Sequence, residues 1–237
     1  MSIDFTTPIP QSLPNGFNAV VIGASGGIGS SIFDRLKTHP NIGNLNGLSR
    51  SQDSFDLLDE TKISAAAERL SGKPIHLLVC ATGVLTVGDR GPEKALREID
   101  PEIMLKQFRV NAIGPALVAK HFLPLLDKQA RSIAFFLSAR VGSIGDNRLG
   151  GWISYRSSKA ALNQVVKTAS IEISRSHPRA VIAAVHPGTV RTSLSNPYSG
   201  KHATVSADEA SASILKAVDG LTETGRYLAY DGSDIEW

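Results

Sequence analysis

The sequence predicts one doubly wound α/β domain: a parallel sheet of about seven strands with helices on both faces. Three observations carry this. Short, almost wholly apolar segments recur along the chain with helical stretches between them, as strands buried on both faces require. The first such segment runs directly into a glycine-rich turn, GASGGIG at 23–29. The 237 residues, 42% hydrophobic and 20% charged, suit a single core, and the predicted elements use the whole length.

In chain order, residues 1–17 are proline-rich and aperiodic and read as an extended arm, with the domain occupying 18–237. FNAVVI at 17–22 opens the sheet, and a helical stretch continues through 36. Residues 44–48 form a weak strand, 55–58 another, and 62–70 a helix. IHLLVCA at 75–81 is an apolar strand, followed by one long helix over 101–128. IAFFLS at 133–138 precedes a helix over 155–175; AVIAAV at 180–185 precedes one over 207–218. A last strand covers 226–230. Periodicity and β-branched content decide each assignment.

The net charge of +3 raises the question of nucleic acid, but the basic residues are dispersed, with no run of five and no stacking aromatics. No apolar run approaches the roughly 20 residues of a membrane span, and no secretory signal pattern opens the chain. Cys80 is the only cysteine, which excludes an intrachain disulfide and a cysteine-ligated metal. It ends an apolar strand and reads as an inert core thiol. The six histidines lack metal-ligand spacing, so no metal is expected. A reducing, cytoplasmic compartment is expected.

A glycine turn leading from strand to helix turns backbone N–H groups and a helix N-terminus toward an anion. Gly23, Gly27 and Gly29 are spaced G-x3-G-x-G, and their position after the first strand points to a dinucleotide. Such sites place a carboxylate on the ribose hydroxyls at the end of the second strand. Here that end reads Leu48-Ser49-Arg50-Ser51. Arg50 can pair with a 2′-phosphate that a carboxylate would repel, which favours NADP(H) over NAD(H).

Tyr155 and Lys159, four apart, share one helix face. A free tyrosine titrates near ~10, and an adjacent ammonium favours its phenolate, so the pair suits proton transfer. Asn111 lies within the long predicted helix with Pro115 four residues on. Proline has no N–H to give the Asn111 carbonyl, which leaves that oxygen open to a water and a proton relay.

Together with CATG at 80–83, VNAIG around Asn111, YRSSK at 155–159 and HPGTVRT at 186–192, these features resemble the short-chain dehydrogenase/reductase family over nearly the full chain. SARVGSIGDN, GGWISYRSSKAALN and the C-terminal YDGSDIEW resemble its C-factor and sniffer-type carbonyl reductase branch. The resemblance implies a Rossmann fold and an NADP(H)-dependent oxidoreductase that acts on a small carbonyl or secondary alcohol. Tyr155 would exchange the proton; Lys159 would lower its pKa and bind the nicotinamide ribose, with Asn111 in the relay. Gly23, Ser25, Gly27, Ile28 and Gly29 would cradle the dinucleotide, with Arg50 on its phosphate. Asp56 and Leu57 would hold the adenine, and Ala81, Thr82 and Gly83 would line its ribose. Pro187, Gly188 and Val190 would lead to Thr192 on the carboxamide.

CATG replaces the family's usual NNAG, so two polar residues are missing. Ala139 stands where the catalytic serine is usual, leaving Ser138 or Ser143 to donate to the carbonyl oxygen. Trp152 and Tyr198 are candidates for the pocket wall and its lid, whereas Arg140 and Arg148 read as solvated surface. The family also implies a homodimer or homotetramer built on the helices around Asn111 and Tyr155. Ala139 and the C-factor likeness keep a second reading open, a cell–cell signalling or regulatory protein that binds the dinucleotide with little turnover.

Overall fold

The computed structural model describes residues 9–53, 55–198 and 204–237. Its sheet has six parallel strands in the order β2-β1-β3-β4-β5-β6. They are β1 (Phe17–Ile22), β2 (Ile42–Leu48), β3 (Leu77–Cys80), β4 (Ser132–Leu137), β5 (Ala180–His186) and β6 (Arg226–Ala229). β4 is buried along its whole length, which is why the segment SIAFFL is apolar without alternation.

The helices are α1 (Gly27–Lys37), α2 (Arg50–Asp53), α3 (Glu60–Leu70), α4 (Pro101–Phe108), α5 (Gly114–Phe122), α6 (Ile153–Ser174) and α7 (Ala207–Asp219). One face of the sheet is covered by α1 and α7, which bury Ile32, Leu36, Ile214 and Leu215. The other is covered by α3, α5 and α6, with Ile63, Val118, Phe122, Leu162 and Val166 in its core. Local chemistry starts these helices: the Asp59 side chain accepts from Thr61 and Lys62 N–H groups, and Asp100 from those of Glu102 and Ile103. Ser206 and Glu209 form a reciprocal capping box on α7.

Two expectations are corrected. Residues 55–58 are not a strand, so the sheet has six strands rather than about seven. Phe55 and Leu57 are buried beside the α5 face, but Asp56 Oδ1 accepts from Leu58 N–H at 3.0 Å and curls the segment into a turn. The helix expected over 101–128 is interrupted: a π-helical turn, Arg109–Ile113, joins α4 to α5 just before Pro115. A 3-10 turn, Leu123–Leu125, then ends it short of 128.

The sheet has two differently built ends. At the carboxyl ends of the strands the order reverses between β1 and β3, and the loops there splay apart. At the amino ends, polar ties close the fold. The Asn18 N–H donates to His76 Nδ1 at 3.1 Å, and His76 Nε2 lies 3.3 Å from Asp127. Arg131 Nε donates to Ser12 Oγ at 2.8 Å, and its Nη2 donates to the Asp219 carbonyl at 3.1 Å. The Asp219 carboxylate accepts from the Gln11 and Ser12 N–H groups, so residues 11–12 lie against the domain, and Leu13 is buried in the core under α1 and α7.

Candidate active site

A cleft opens at the carboxyl ends of the strands, at the point where strand order reverses, the usual ligand position in open α/β sheets. Gly23 leaves β1 at φ +86°, and a Cβ there would lie 2.5 Å from the Ala81 carbonyl oxygen. A Cβ on Gly27 would meet Thr192 at 2.7 Å, and one on Gly29 would collide with the Gly23 carbonyl. Glycine is therefore required where the turn packs on the β3 and β5 loops. Gly26 precedes α1 with no side-chain cap, and the first turn of α1 carries no acidic residue. Its free N–H groups and positive dipole end remain available to an anion.

On one side of this turn lies a cleft of about 340 Å³. Its walls include Gly23, Ser25, Arg50, Asp56, Leu57, Ala81, Thr82 and Gly83. Arg50 stands exposed at its rim. On the other side lies a cleft of about 590 Å³ that holds Ile28, Pro187, Gly188, Val190 and Thr192 together with Ser138 and Tyr155. Most of the expected dinucleotide residues thus line one or the other of two clefts; Tyr155 lines the larger, and Lys159, which lines neither, lies next to Gly83 of the smaller.

Lys159 is buried, and Nζ donates to the Leu137 carbonyl at 2.9 Å. Nζ lies 6.0 Å from the centroid of the Tyr155 ring. A Cβ on Gly83 would come within 3.2 Å of this Nζ and 3.4 Å of Asn111 Oδ1, so Gly83 meets both residues. Burial pushes the Lys159 amine down to about 8. It pushes the Tyr155 phenol well above its ordinary value, with Tyr227 adding to the shift. The amine keeps most of its charge at pH 7, and the phenol holds its proton.

Asn111 is fully buried on the π-helical turn. Its Oδ1 accepts from the Val84 N–H at 2.8 Å; Nδ2 donates to the Val84 carbonyl at 2.9 Å and to Ser158 Oγ at 3.0 Å. Ser158 Oγ in turn donates to the Tyr155 carbonyl at 2.8 Å. The side chain ties the loop after β3 to the first turns of α6. Close packing of Leu57 on Gly114 seats the 55–58 turn on α5.

The larger cleft is walled mainly by apolar side chains. Trp152 packs edge-on against both Tyr155 and Tyr198, with centroids 6.3 and 5.7 Å apart. Tyr198 Oη and Thr86 Oγ1 are 2.7 Å apart, which joins the loop after β5 to the loop after β3. Ser199 and Gly200, beyond it, lie outside the described residues. Trp152 adopts φ +54°, a left-handed conformation that costs a bulky residue of order 1–3 kcal/mol. Its N–H donates to the Glu93 carbonyl at 2.5 Å, which helps hold it there.

A family model described as enoyl-(acyl carrier protein) reductase matches residues 49–234. The chain belongs to the short-chain dehydrogenase/reductase family. It is 31% identical over 190 residues to the 1-hydroxy-2-glutathionyl-2-methyl-3-butene dehydrogenase of Rhodococcus sp. strain AD45, covering 78% of this chain and 80% of that protein. It is 32% identical over 176 residues to the C-signal protein of Myxococcus xanthus, covering 73% of this chain and 99% of that one. The structure of NADPH-bound carbonyl reductase from chicken fatty liver superposes with a TM-score of 0.80 at 25% identity, covering 98% and 100% of the two chains. These relatives include both sides of the narrower likeness read from the sequence, a C-signal and a carbonyl reductase.

Within this dehydrogenase/reductase fold, the serine position departs from the family pattern. Ser138 lines the larger cleft, but its hydroxyl donates to Asn163 Oδ1 at 2.6 Å. Ser143 does not line the cleft; its oxygen accepts from the Asp146 N–H at 3.0 Å. The Ala139 carbonyl accepts from Tyr227 Oη at 2.6 Å. In CATG, the Thr82 hydroxyl lies 3.5 Å from Cys80 Sγ, a buried thiol that burial raises to about 11.

Three residues of the site escaped the sequence. The buried Glu93 carboxylate accepts from the Ser154 N–H and hydroxyl, and so caps α6 one residue before Tyr155. Its distance of 61 residues from Ser154 leaves no local signal. His186 lines the larger cleft with a buried Nδ1 that has no partner; burial first, and then the Arg140 charge, lowers its pKa to about 4. Arg156 lines it too; Arg140 reaches its wall while remaining exposed, as the sequence reading expects. Among the described residues, no three metal-ligating side chains cluster, and no helix is long and apolar enough to cross a membrane.

Proposed function

We propose that this chain is an NADP(H)-dependent oxidoreductase acting on a small carbonyl or secondary alcohol. The observation that carries the reading is Tyr155 in the wall of the larger, mainly apolar cleft, with Lys159 Nζ 6.0 Å from its ring and next to Gly83 of the glycine-turn cleft. The residues fit the dinucleotide. Gly23, Gly27 and Gly29 leave room that any Cβ would fill, and the α1 N-terminus offers free N–H groups. When bound, NADP(H) supplies or accepts the hydride. Ser25, Ile28 and the three glycines would hold its phosphates, and Arg50 its 2′-phosphate. Asp56, Leu57, Ala81, Thr82 and Gly83 would line the adenosine side; Pro187, Gly188, Val190 and Thr192 would line the nicotinamide side.

Tyr155 then acts as the acid. Burial keeps its phenol protonated at neutral pH, the state that gives a proton to a carbonyl oxygen. Lys159 holds a positive charge beside the ring, which favours the phenolate left behind and draws the next proton in. Asn111 holds the loop bearing Gly83 in register with both. Neither Ser138 nor Ser143 has a free hydroxyl proton facing the cleft, so Tyr155 carries most of the stabilisation of the carbonyl oxygen. Exposed Leu105, Ile113 and Ile171 near the α4–α6 face are consistent with a homo-oligomer built there.

Calorimetric titration with NADPH and NADH, followed by a carbonyl panel on the preferred cofactor, tests this. NADPH should bind roughly 10- to 100-fold tighter, the range of one or two charge-assisted hydrogen bonds. Arg50→Asp should erase that margin. The second reading, a regulatory protein related to C-signal, is favoured by Ala139. It predicts NADPH binding with no oxidation across the panel.

A further inference from the structure

The larger cleft contains one charge that no carboxylate among the described residues neutralises. Arg156 follows Tyr155 on the first turn of α6 and is half-buried. Its Nε donates to the Gly151 carbonyl at 2.9 Å and its Nη1 to the Val141 carbonyl at 3.3 Å. Both acceptors are neutral. Among the described residues no Asp or Glu pairs with Arg156, and none lines this cleft. The other guanidinium in the wall, Arg140, is already paired with Asp146 at 3.1 Å.

The position is unfavourable for a cation. Burial disfavours the charged guanidinium. The one carboxylate at this end of α6, Glu93, is taken up by the Ser154 N–H and hydroxyl and forms no ion pair with Arg156. An aliphatic side chain would complete the wall beside Val141 and Leu149 without the desolvation penalty. The Gly-turn cleft, where Arg50 stands, does not include Arg156.

We propose that Arg156 is the anion receptor of the substrate pocket, and that the substrate class is the oxo acids: aldehydes or ketones carrying a carboxylate. This rests on the reductase reading above and deepens it. Of the five guanidinium N–H groups, the two carbonyls take one on Nε and one on Nη1. They hold the fork in place without neutralising it. The Nη2 edge and the second Nη1 hydrogen remain for a carboxylate, which accepts two parallel bonds in this geometry. The apolar wall of Leu85, Val141 and Trp152 suits the hydrocarbon frame between the carboxylate and the reacting carbonyl.

The test compares kcat/KM for 2-, 3- and 4-acetylbenzoate with their methyl esters, in wild type, Arg156→Leu and Arg156→Lys. In parallel, benzoate and methyl benzoate are titrated against tryptophan fluorescence in a Trp237→Phe background, where Trp152 is the sole emitter and no turnover is needed. At least one acid should exceed its ester by roughly 10- to 100-fold in wild type. That ratio should fall at least tenfold in Arg156→Leu and less in Arg156→Lys, in proteins with native circular dichroism. A wild-type ratio near one overturns the proposal, as does an equal loss for acid and ester, which would make Arg156 only a brace for the 140–151 loop. If no carbonyl is reduced, the reductase reading fails, and the fluorescence affinities judge the anion receptor by the same ratios. If Arg156→Leu does not fold, the Arg156→Lys ratio decides.

Discussion

Asn111→Leu keeps the branched shape and heavy-atom count of the side chain and removes every polar contact that side chain makes. Its amide closes on both backbone groups of Val84, at 2.8 and 2.9 Å, inside a fully buried environment. Leucine would leave that N–H and C=O facing methyl groups. A stranded buried polar group costs about 1–3 kcal/mol. Val84 is only partly buried, so the lower part of that range applies to each group, about 2–4 kcal/mol in all. Ser158 Oγ keeps its bond to the Tyr155 carbonyl and adds little. For a chain of this size each kcal/mol moves Tm by about 2–4 °C, so melting should fall by roughly 4–16 °C. Differential scanning calorimetry measures the fall, and urea midpoints check it. The same substitution loosens Gly83 beneath Lys159, so NADPH affinity should drop with Tm. A fall under about 2 °C would refute the clasp, and unchanged NADPH affinity in the destabilised protein would refute its role in shaping the nucleotide cleft.

Two further outcomes follow from groups in the same site. The Lys159 amine is lowered from 10.5 to about 8 in the fold, so above pH 8 the folded chain gives up this proton before the unfolded chain does. The unfolded state then binds more protons, and stability rises with pH. Cys80, raised from 9.0 to about 11, works in the opposite sense above pH 9. The urea midpoint should therefore rise between pH 8 and 9, and Lys159→Met should flatten the rise; parallel slopes would show that the amine is not desolvated. Ala139→Ser offers the carbonyl oxygen a hydroxyl, a net gain of about 1 kcal/mol, or roughly fivefold in kcat/KM for ketone reduction; a loss of rate would show that the position does not face the reacting oxygen.

The apolar strands, the glycine turn and the Tyr155–Lys159 pair were legible because each depends on spacing within one element. Residues 55–58 misled because Phe55 and Leu57 are buried by contact with a helix face, and four residues cannot distinguish such a turn from a strand. Pro115 announced a break in the helix ladder, but not the π-helical turn that points the Asn111 amide at Val84. The serine question was undecidable from spacing, since it turns on Asn163, 25 residues away, taking the Ser138 proton. Arg156 was in plain view within YRSSK. Only tertiary structure shows that it lines the larger cleft with no acidic partner among the described residues.

The contrast between the two ends of the sheet has a practical consequence for redesign. The bonds that join His76 to Asn18 and Asp127, and Arg131 to Ser12 and Asp219, lie at the strand amino ends, across the full length of the sheet from Tyr155. Substitutions that far apart with no shared partners add nearly independently. Robustness can therefore be engineered at the amino-end belt while selectivity is altered at Arg156, Trp152 and Tyr198, and variants from the two campaigns can be combined without re-optimising either.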